Sequence, residues 1–379
     1  MPARPPRPAH DAGTTGSSTV RSSWILSLVL LAVAAVLVAC APPARHSGPP
    51  DGVAVRPTPT SSTPAPVRTG GTYVTPGTRS TVAGCDVFPR DHVFHASIRS
   101  LPVHADSVAA IAAAGPNRSI MAGFGAGVWQ GSRLGIPVNV VDGSTSEWQR
   151  LMLSNLYAAS SDGEWMPWPE DPRIEGWPNA AWDRHMVVVD RETCLSWEAI
   201  QVQPPWQNLW AGAFGRWWSD KLVAIDLSSN TPRQGGTVTA SGLSIHAGLV
   251  NYDDVAAGEI DHVITMAFPV IRSKSFVWPA YGTDGSSTNP AAPQMGSWLR
   301  LKPSADLSRL GPQAKVIARA LQDHGAVIGD SGPNAALSGQ PDTRWNDTDL
   351  AGLAGFKMSD FEFVDPTPMK VSDSSYQIR

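Results

Sequence analysis

The globular part of the chain alternates between short apolar segments and turn residues. Each apolar segment has the length of a strand, and each is bounded by Gly, Pro, Asn or Asp, which is typical of β-structure. In the longest one, alternation from Ile260 through His262 to Phe268 predicts a shared buried face. The predicted strands are HMVVVD (185–190), KLVAIDL (221–227), IDHVITMAF (260–268), SWLRLK (297–302) and AVIGD (326–330).

Helical periodicity is confined to two clear segments. Residues 312–325 have Pro312 near the start and Gly325 as a stop, and residues 106–115 begin with Asp-Ser. The regular helix–strand alternation of a parallel α/β fold is missing. The pattern therefore predicts a mainly-β fold: a single globular domain (83–379) built as an antiparallel, jelly-roll-like β-sandwich with a few peripheral helices.

The N-terminus has the pattern of an export signal. Basic residues precede an apolar run of 15 residues, Trp24–Val38, which is shorter than the roughly 20 residues of a membrane span. The run ends in Leu-Val-Ala-Cys40, which resembles the lipobox of bacterial lipoprotein precursors. We expect residues 1–39 to be a signal peptide and Cys40 to carry lipid, which anchors the chain in the membrane at the outer face of the cytoplasmic membrane or in the cell envelope. The alternative is an uncleaved signal anchor with an incidental cysteine.

Composition separates a tether from the domain. Residues 40–82 are rich in Pro, Ser, Thr and Gly and have few large apolar residues, which predicts a disordered spacer. With Cys40 assigned to lipid, Cys85 and Cys194 remain as an even pair, and in an exported protein we expect them to form a disulfide. A cysteine nucleophile is therefore not expected.

Charge and tryptophan content narrow the choice of partner. The net charge is −4 and basic residues do not cluster, so nucleic acid is not expected as a partner. Ten of the fifteen tryptophans fall between Trp148 and Trp218, many beside Pro and acidic residues. Core packing explains any single tryptophan, but such a series also suits stacking on sugar rings. The predicted substrate-binding tryptophans are Trp165, Trp168, Trp177, Trp182 and Trp278.

Several standard catalytic motifs are missing. The chain has no GxSxG elbow, HExxH, CxxC or P-loop, and its histidine spacing near the N-terminus is a weak metal signal, so no metal and no cofactor are predicted. Asp183-Arg184-His185 stands at the start of a strand, where alternation would place Asp183 and His185 on one side as an acid–base pair. A structural ion-pair network is the alternative interpretation.

A second acid–base group lies in GLSIHAGLVNYDDVAAGEIDH (242–262). Asp253 is interpreted as a helix N-cap and Gly258 as the helix stop, which accounts for the Asp253-Asp254 pair without chemistry. The remaining candidates are His246, in a strand-like segment, with Glu259, Asp261 and His262. Asp330, at the end of a predicted strand, completes the predicted catalytic set.

The order of motifs resembles a group of secreted actinobacterial-type proteins. The resemblance covers most of residues 85–365, and it implies export but no transferable activity. Its motifs are CDVFP, GIPVNVV, DRHMVVVDRETC, GLVNYDDVAAGEIDHVITM, FVWPA, MGSWLRLK, VIGDSG and GQPDTRW.

Two functional hypotheses remain at this stage. The first is a polysaccharide-active enzyme, a glycoside hydrolase in which an Asp/Glu pair works in a Trp-lined groove, because glycosidases need two carboxyl groups across the scissile bond. The second is a non-catalytic, glycan-binding surface lipoprotein. Either is expected to be a monomer that binds polysaccharide.

Overall fold

The structure, a computed structural model, describes residues 80–379 and the short strand His46–Ser47. The predicted signal peptide and Cys40 lie outside the described residues, as does the predicted tether before residue 80 apart from His46–Ser47. The α-helices of the described residues are α1 (Ser107–Ala114), α2 (Leu209–Ala213), α3 (Tyr252–Ala257), α4 (Pro312–Asp323) and α5 (Asp347–Leu350).

Strands outnumber helices in the described residues, so the mainly-β prediction is confirmed. They are β1 (His46–Ser47), β2 (Thr81–Val82), β3 (Cys85–Asp86), β4 (Ile120–Ala122), β5 (Val128–Trp129), β6 (Ser132–Arg133), β7 (Val138–Val141), β8 (Glu147–Leu153), β9 (Trp165–Trp168), β10 (Met186–Asp190), β11 (Leu195–Ile200), β12 (Trp217–Ser219), β13 (Lys221–Asp226), β14 (Ile264–Phe268), β15 (Trp298–Leu301), β16 (Ala326–Ser331), β17 (Ala335–Leu337) and β18 (Phe361–Val364).

Three larger sheets organise these strands. The first has the order β1-β8-β12, with β9 also paired to β8. The second has the order β13-β11-β10-β7, and the third β18-β15-β16-β14-β17-β4. Each combines antiparallel pairs with a parallel pair, such as β10 with β7 or β14 with β16. The sheets are therefore mixed, and the jelly-roll sandwich arrangement is not confirmed.

The sheets are stacked in layers around three apolar cores. Alternation sends Val187 and Val189 of β10 into a core shared with Trp298 and Val327 of the third sheet. The opposite face of β10 packs against the first sheet, with Val188 as a member of that core. The far face of the third sheet is covered by helices, chiefly α4. The second sheet is thus buried on both faces, which explains the uninterrupted apolar sequence of β10.

The local predictions are accurate for regular elements. All five predicted strand segments contain a strand, and both predicted helices form. Two details differ. Strand β14 begins only at Ile264, so His262 precedes it. The segment around His246 is not a strand but contains a 3-10 turn, His246–Gly248.

The N-cap of α3 is also different from the prediction. Asn251 is the capping residue, because its side chain accepts a hydrogen bond from the backbone N–H of Asp254, and Asp253 lies in the first turn. Gly258 ends the helix in a left-handed conformation at φ 93°, as predicted.

The predicted disulfide Cys85–Cys194 is present, with its Cα atoms 5.5 Å apart. It closes a long loop, since the two cysteines are 109 residues apart in the chain. The bridge ties the edge of the domain to the turn before β11.

Within the described part of the chain, no helix combines the length and the apolar character that a membrane crossing requires.

Candidate functional site

The core of the candidate site is a carboxylate–histidine pair. The Nδ1 atom of His185 lies 2.6 Å from Oε2 of Glu175, and the same oxygen accepts the backbone N–H of His185 at 3.2 Å. The backbone N–H of Glu175 in turn donates to the carbonyl of His185 at 2.9 Å. These bonds fix the ring orientation and place the Nδ1 proton toward the carboxylate.

Burial and charge act in opposite directions on His185. Burial alone lowers its pKa, but the adjacent Glu175 carboxylate, aided by Asp183 and Asp330, reverses that effect, and the pKa ends above its usual value. The Nε2 atom is buried and has no hydrogen-bond partner among the described residues. A buried polar atom without a partner is costly, so this nitrogen distinguishes His185 from a histidine that is held only for structure.

Glu198 lies on the neighbouring strand β11 and is completely buried. Its cross-strand neighbours, Val187 and Val223, are apolar and fully buried. Burial raises the pKa of Glu198 to about 7, although three hydrogen bonds and the charge of His185 oppose the shift. The carboxyl group therefore changes charge near neutral pH.

The hydrogen bonds of Glu198 all come from one irregular segment, Ser244–His246. The hydroxyl of Ser244 donates at 2.8 Å, and the backbone N–H groups of Ile245 and His246 each donate at 3.2 Å. This segment is buried between the second and third sheets, where its backbone donors need partners. Glu198 thus has a clear structural role in addition to its proximity to His185.

Asp330 is the second carboxyl group with a raised pKa, and it is only partly exposed to solvent. It lies near the end of β16, and its carboxylate accepts the backbone N–H groups of Ser331 at 2.9 Å and of Ala240 at 3.4 Å. Burial and then the nearby Asp284 raise its pKa to about 6, against the opposing influence of His185. Asp284 is exposed and accepts a hydrogen bond from the hydroxyl of Ser331.

Together these groups form what we call the His185 centre: Glu175, His185, Glu198, Asp284 and Asp330. The charges of Glu175, Glu198 and Asp330 interact with the His185 imidazole, and Asp284 interacts with Asp330. Burial raises the pKa of Glu198 to about 7 and that of Asp330 to about 6. Separation of pKa values among neighbouring carboxyl groups is the arrangement that allows one group to donate a proton while another accepts one.

The Asp183–His185 pair is placed differently from the prediction. Asp183 is exposed and acts on His185 only through its charge, because Glu175 takes the hydrogen bond. Arg184, which separates them, has φ 53°, so the regular alternation of a strand does not apply. Among the described residues Arg184 has no carboxylate partner, and its guanidinium lies 5.5 Å above the ring of Trp177.

The other predicted histidines belong to a second buried group, the His262 cluster: His95, His246, His262 and His324. Burial lowers the pKa of His95, His246 and His324, and the charge of His262 lowers each of them further. Backbone carbonyls hold several of the rings: Nδ1 of His324 lies 2.9 Å from the Ala96 carbonyl and Nδ1 of His262 2.9 Å from that of Val263.

The two remaining predicted carboxylates are not in the His185 centre. Glu259 is exposed just after α3. Asp261 accepts a hydrogen bond from the hydroxyl of Ser80 at 2.6 Å, and its charge raises the pKa of His262. Of the predicted catalytic residues, Asp183, His185 and Asp330 therefore come together, and His246 is linked to them through the Glu198 carboxylate.

The predicted tryptophans divide into three groups. Trp168 packs against Trp217 at 4.9 Å between ring centroids, and Trp165 is half-buried on the same strand, β9. Trp177 belongs to the same group, since its ring centroid lies 6.4 Å from that of Trp217. Trp182 forms the second group, and its Nε1 donates to Gln130 at 3.0 Å. Trp278 lies away from them, in the wall of a cavity of about 490 Å³ that also includes Arg272 and Lys370.

Metal binding has no support among the described residues, because no group of three or more His, Cys, Asp or Glu side chains there could hold an ion.

Comparison of the chain with protein-family models, with curated proteins and with solved structures found no match. The fold and the site together describe a mainly-β domain with a buried carboxylate–histidine centre.

Glu175, Glu198 and Asp284 were missed at the level of sequence. Glu198 carried a usable signal, since a carboxylate in the middle of LSWEAI on a buried strand requires a partner. Glu175 and Asp284 lie in loops, where no periodicity indicates what they face.

Proposed function

We propose that the protein is an exported, lipid-anchored envelope protein that hydrolyses polysaccharide at the His185 centre. The N-terminal pattern supports export, and the Cys85–Cys194 disulfide is consistent with an oxidising compartment. In this scheme the second and third sheets, which pack face to face, form the sandwich that carries the His185 centre.

The observation that carries the proposal is the pairing of Asp330 with Asp284. Asp330 has a pKa raised to about 6, so part of it is protonated at neutral pH and can act as the general acid on the leaving oxygen. Asp284 is exposed beside it, and its charge contributes to that shift. Asp284 would activate the water that attacks the sugar carbon, while the leaving oxygen takes the proton of Asp330. Two neighbouring carboxyl groups with distinct roles are the requirement of glycoside hydrolysis.

The His185–Glu175 pair has a supporting role in this scheme. An imidazolium near Asp330 limits how far burial raises the pKa of that acid. Trp182 would supply a stacking face for the sugar ring.

The test measures release of reducing ends from a panel of bacterial and plant polysaccharides. Asp330→Asn and Asp284→Asn should each remove cleavage, with rates normalised by the folded fraction because Asp330 is largely buried and its replacement also changes stability. Asp306→Asn, an exposed carboxylate bonded to its own turn, is the matched control and should retain cleavage.

Cleavage by the wild type should also fall as the pH rises through about 6, because Asp330 loses the proton that it donates. Glycan binding without cleavage, unaffected by Asp330→Asn, would replace this proposal by the non-catalytic glycan-binding function. The half-buried tryptophans around Trp217 are the feature that favours that second candidate.

A further inference from the structure

The most exposed apolar side chains of the described residues include four in one short segment. Leu209 is 94% exposed, Trp210 77%, Trp206 73% and Phe214 62%. We call residues 206–214 the aromatic loop. A monomeric protein rarely exposes a contiguous apolar patch of this kind unless it meets a partner or a membrane.

The backbone of the aromatic loop is built to present these side chains. Asn208 caps the short helix α2, accepting the backbone N–H groups of Trp210 and Ala211 at 3.1 Å each. Ala211 is fully buried, and a side chain at Gly212 would meet the carbonyl oxygen of Pro205 at 2.3 Å. The loop is therefore anchored from beneath while its large apolar groups point to solvent.

Strand β8 connects this loop to the N-terminal part of the chain. Trp217 of β12, three residues after Phe214, pairs with Leu151 of β8. His46 of β1 pairs with Trp148, three positions earlier on β8, which corresponds to roughly 10 Å at the rise of a strand. Strand β1 runs antiparallel to β8: Ser47 pairs with Glu147 and His46 with Trp148. The chain before His46 therefore leaves β1 on the side toward Leu151, where β12 pairs.

The reach of the chain then limits where the N-terminus is attached. Five residues lie between Cys40 and His46, and the six chain steps that join them span at most about 20 Å when extended. A membrane anchor at Cys40 must therefore lie within about 20 Å of the edge of the sheet that carries the aromatic loop, and one at the apolar run that ends at Val38 within roughly 27 Å of it.

The composition of the loop suits a bilayer surface better than a sugar. Residues 199–219 contain no acidic residue and one basic residue, Arg216, although the whole chain has a net charge of −4. Tryptophan is favoured at the boundary between lipid headgroups and acyl chains, where its ring is buried and its N–H remains hydrated. A glycan-binding face would instead combine the aromatic rings with carboxylates.

We propose that the aromatic loop inserts Trp206, Leu209, Trp210 and Phe214 into the headgroup–acyl boundary of the membrane to which the N-terminus tethers the chain. This inference rests on the proposed membrane attachment. It gives the domain a second contact with the bilayer and thus a defined orientation on the membrane.

The test uses the full chain in the Cys40→Ser background, with the apolar run 24–38 retained as the tether. Trp210→Cys is labelled with an environment-sensitive fluorophore, which reacts at that site because the other two cysteines are bridged. The chain is reconstituted in vesicles of phosphatidylcholine and phosphatidylglycerol that contain lipids with spin-labelled acyl chains. The label at position 210 should be quenched several-fold more strongly than in vesicles without spin label.

Val108→Cys is the matched control, because Val108 is an apolar residue that is 84% exposed on α1, in a different layer. Its label should show little quenching. Replacing Leu209 and Phe214 by Ser should weaken quenching at position 210 without changing thermal unfolding. Equal quenching at positions 108 and 210 would overturn the inference, as would protection of the 210 label by a soluble glycan without lipid quenching.

Mass spectrometry of the chain from its producing cell separates this inference from the proposed lipid anchor. An unmodified Cys40 would refute lipidation, whereas the quenching result reports only on the aromatic loop.

Discussion

Two buried histidine sites meet at the segment Ser244–Gly248, which donates hydrogen bonds to Glu198 of the first site and contains His246 of the second. The sites differ in what holds the imidazole ring. In the His185 centre, a carboxylate oxygen lies 2.6 Å from the ring nitrogen. In the His262 cluster, the nitrogens of His95 and His324 lie close to backbone carbonyls, at 2.6 Å from Val87 and 2.9 Å from Ala96. A carbonyl orients the ring but carries no net charge.

The consequence is a difference in protonation. Burial lowers the pKa of His246 and of His324 to about 4, so both rings are neutral at physiological pH. The pKa of His185 is raised, because its carboxylate partner outweighs the same burial. His262 is the exception in its cluster, since Asp254, 3.8 Å away, also raises its pKa. A buried histidine is thus a candidate for chemistry only where a carboxylate accompanies it.

The largest expected effect comes from replacing one histidine of each site by asparagine. Asparagine retains a donor near the Nδ1 position, so His185→Asn keeps the bond to Glu175 but loses Nε2 and the titrating ring. We expect polysaccharide cleavage to fall by about 10²-fold or more. The alkaline limb of the pH profile should move upward, because His185 lowers the pKa of Asp330.

His324→Asn is the matched variant in the other site. It keeps the bond to the Ala96 carbonyl, so we expect altered stability and unchanged cleavage per folded molecule. Rates of reducing-end release, normalised by the folded fraction, compare the two. Equal losses of activity would mean that the two sites do not differ in function.

Gly248 tests the segment that joins the sites. A Cβ atom at this position would lie 1.6 Å from the Thr265 hydroxyl oxygen, well inside contact distance. Gly248→Ala should therefore destabilise the fold by about 3 kcal/mol, the range of an overpacked core. Urea unfolding measures the loss. Thr265→Ala should restore part of it, and Gly355→Ala, where a Cβ meets nothing within 4 Å, should have little effect.

The two sites also predict opposite responses of stability to acid. The unfolded chain protonates His246 and His324 near pH 6.5 and the folded chain only near pH 4, so they reduce stability as the pH falls through that window. Glu198 and Asp330 have raised pKa values of about 7 and 6, so the folded state binds protons first and gains stability as the pH falls toward 4. The two contributions oppose each other in the wild type.

Glu198→Gln removes one of the contributions that stabilise at low pH. Relative to the wild type, this variant should lose on the order of 2 kcal/mol of unfolding free energy between pH 7 and pH 4. Urea unfolding at several pH values measures the slope. The surface substitution Glu192→Gln is the control, and an unchanged slope in Glu198→Gln would show that Glu198 does not titrate in this range.

The sequence predicted what depends on local periodicity and composition. Strands such as Met186–Asp190 and the helix from Pro312 were recognisable because their apolar spacing decides which face is buried. The disulfide followed from the number of cysteines in an exported chain. Sheet order was not predictable, because the parallel pairs join strands that are distant in sequence, such as β14 and β16.

The site was predicted only in part for a related reason. His185 and Asp330 were recognised because they lie next to apolar strand segments, His185 at the start of one and Asp330 near the end of another. Glu175 and Asp284 lie in loops, and their proximity to His185 and Asp330 depends on tertiary packing that no spacing reveals. The N-cap of α3 was wrongly predicted for another reason. Asn251 and Asp253 are both good capping residues, and the backbone conformation, which the sequence does not reveal, decides which of them is the cap.

The choice of cap gives the smallest expected effect. The Asn251 side chain accepts the Asp254 backbone N–H and donates to the Asp254 carboxylate, the group that faces His262. Asn251→Ala should therefore cost about 1 kcal/mol of unfolding free energy, the usual value of a lost cap. Asp253→Ala should leave stability nearly unchanged, because Asp253 makes only an exposed ion pair with Arg344. The two variants are compared by urea unfolding. A greater loss of unfolding free energy in Asp253→Ala than in Asn251→Ala would mean that Asp253 is the cap. Asn251 would then not be the residue that holds the Asp254 carboxylate near His262.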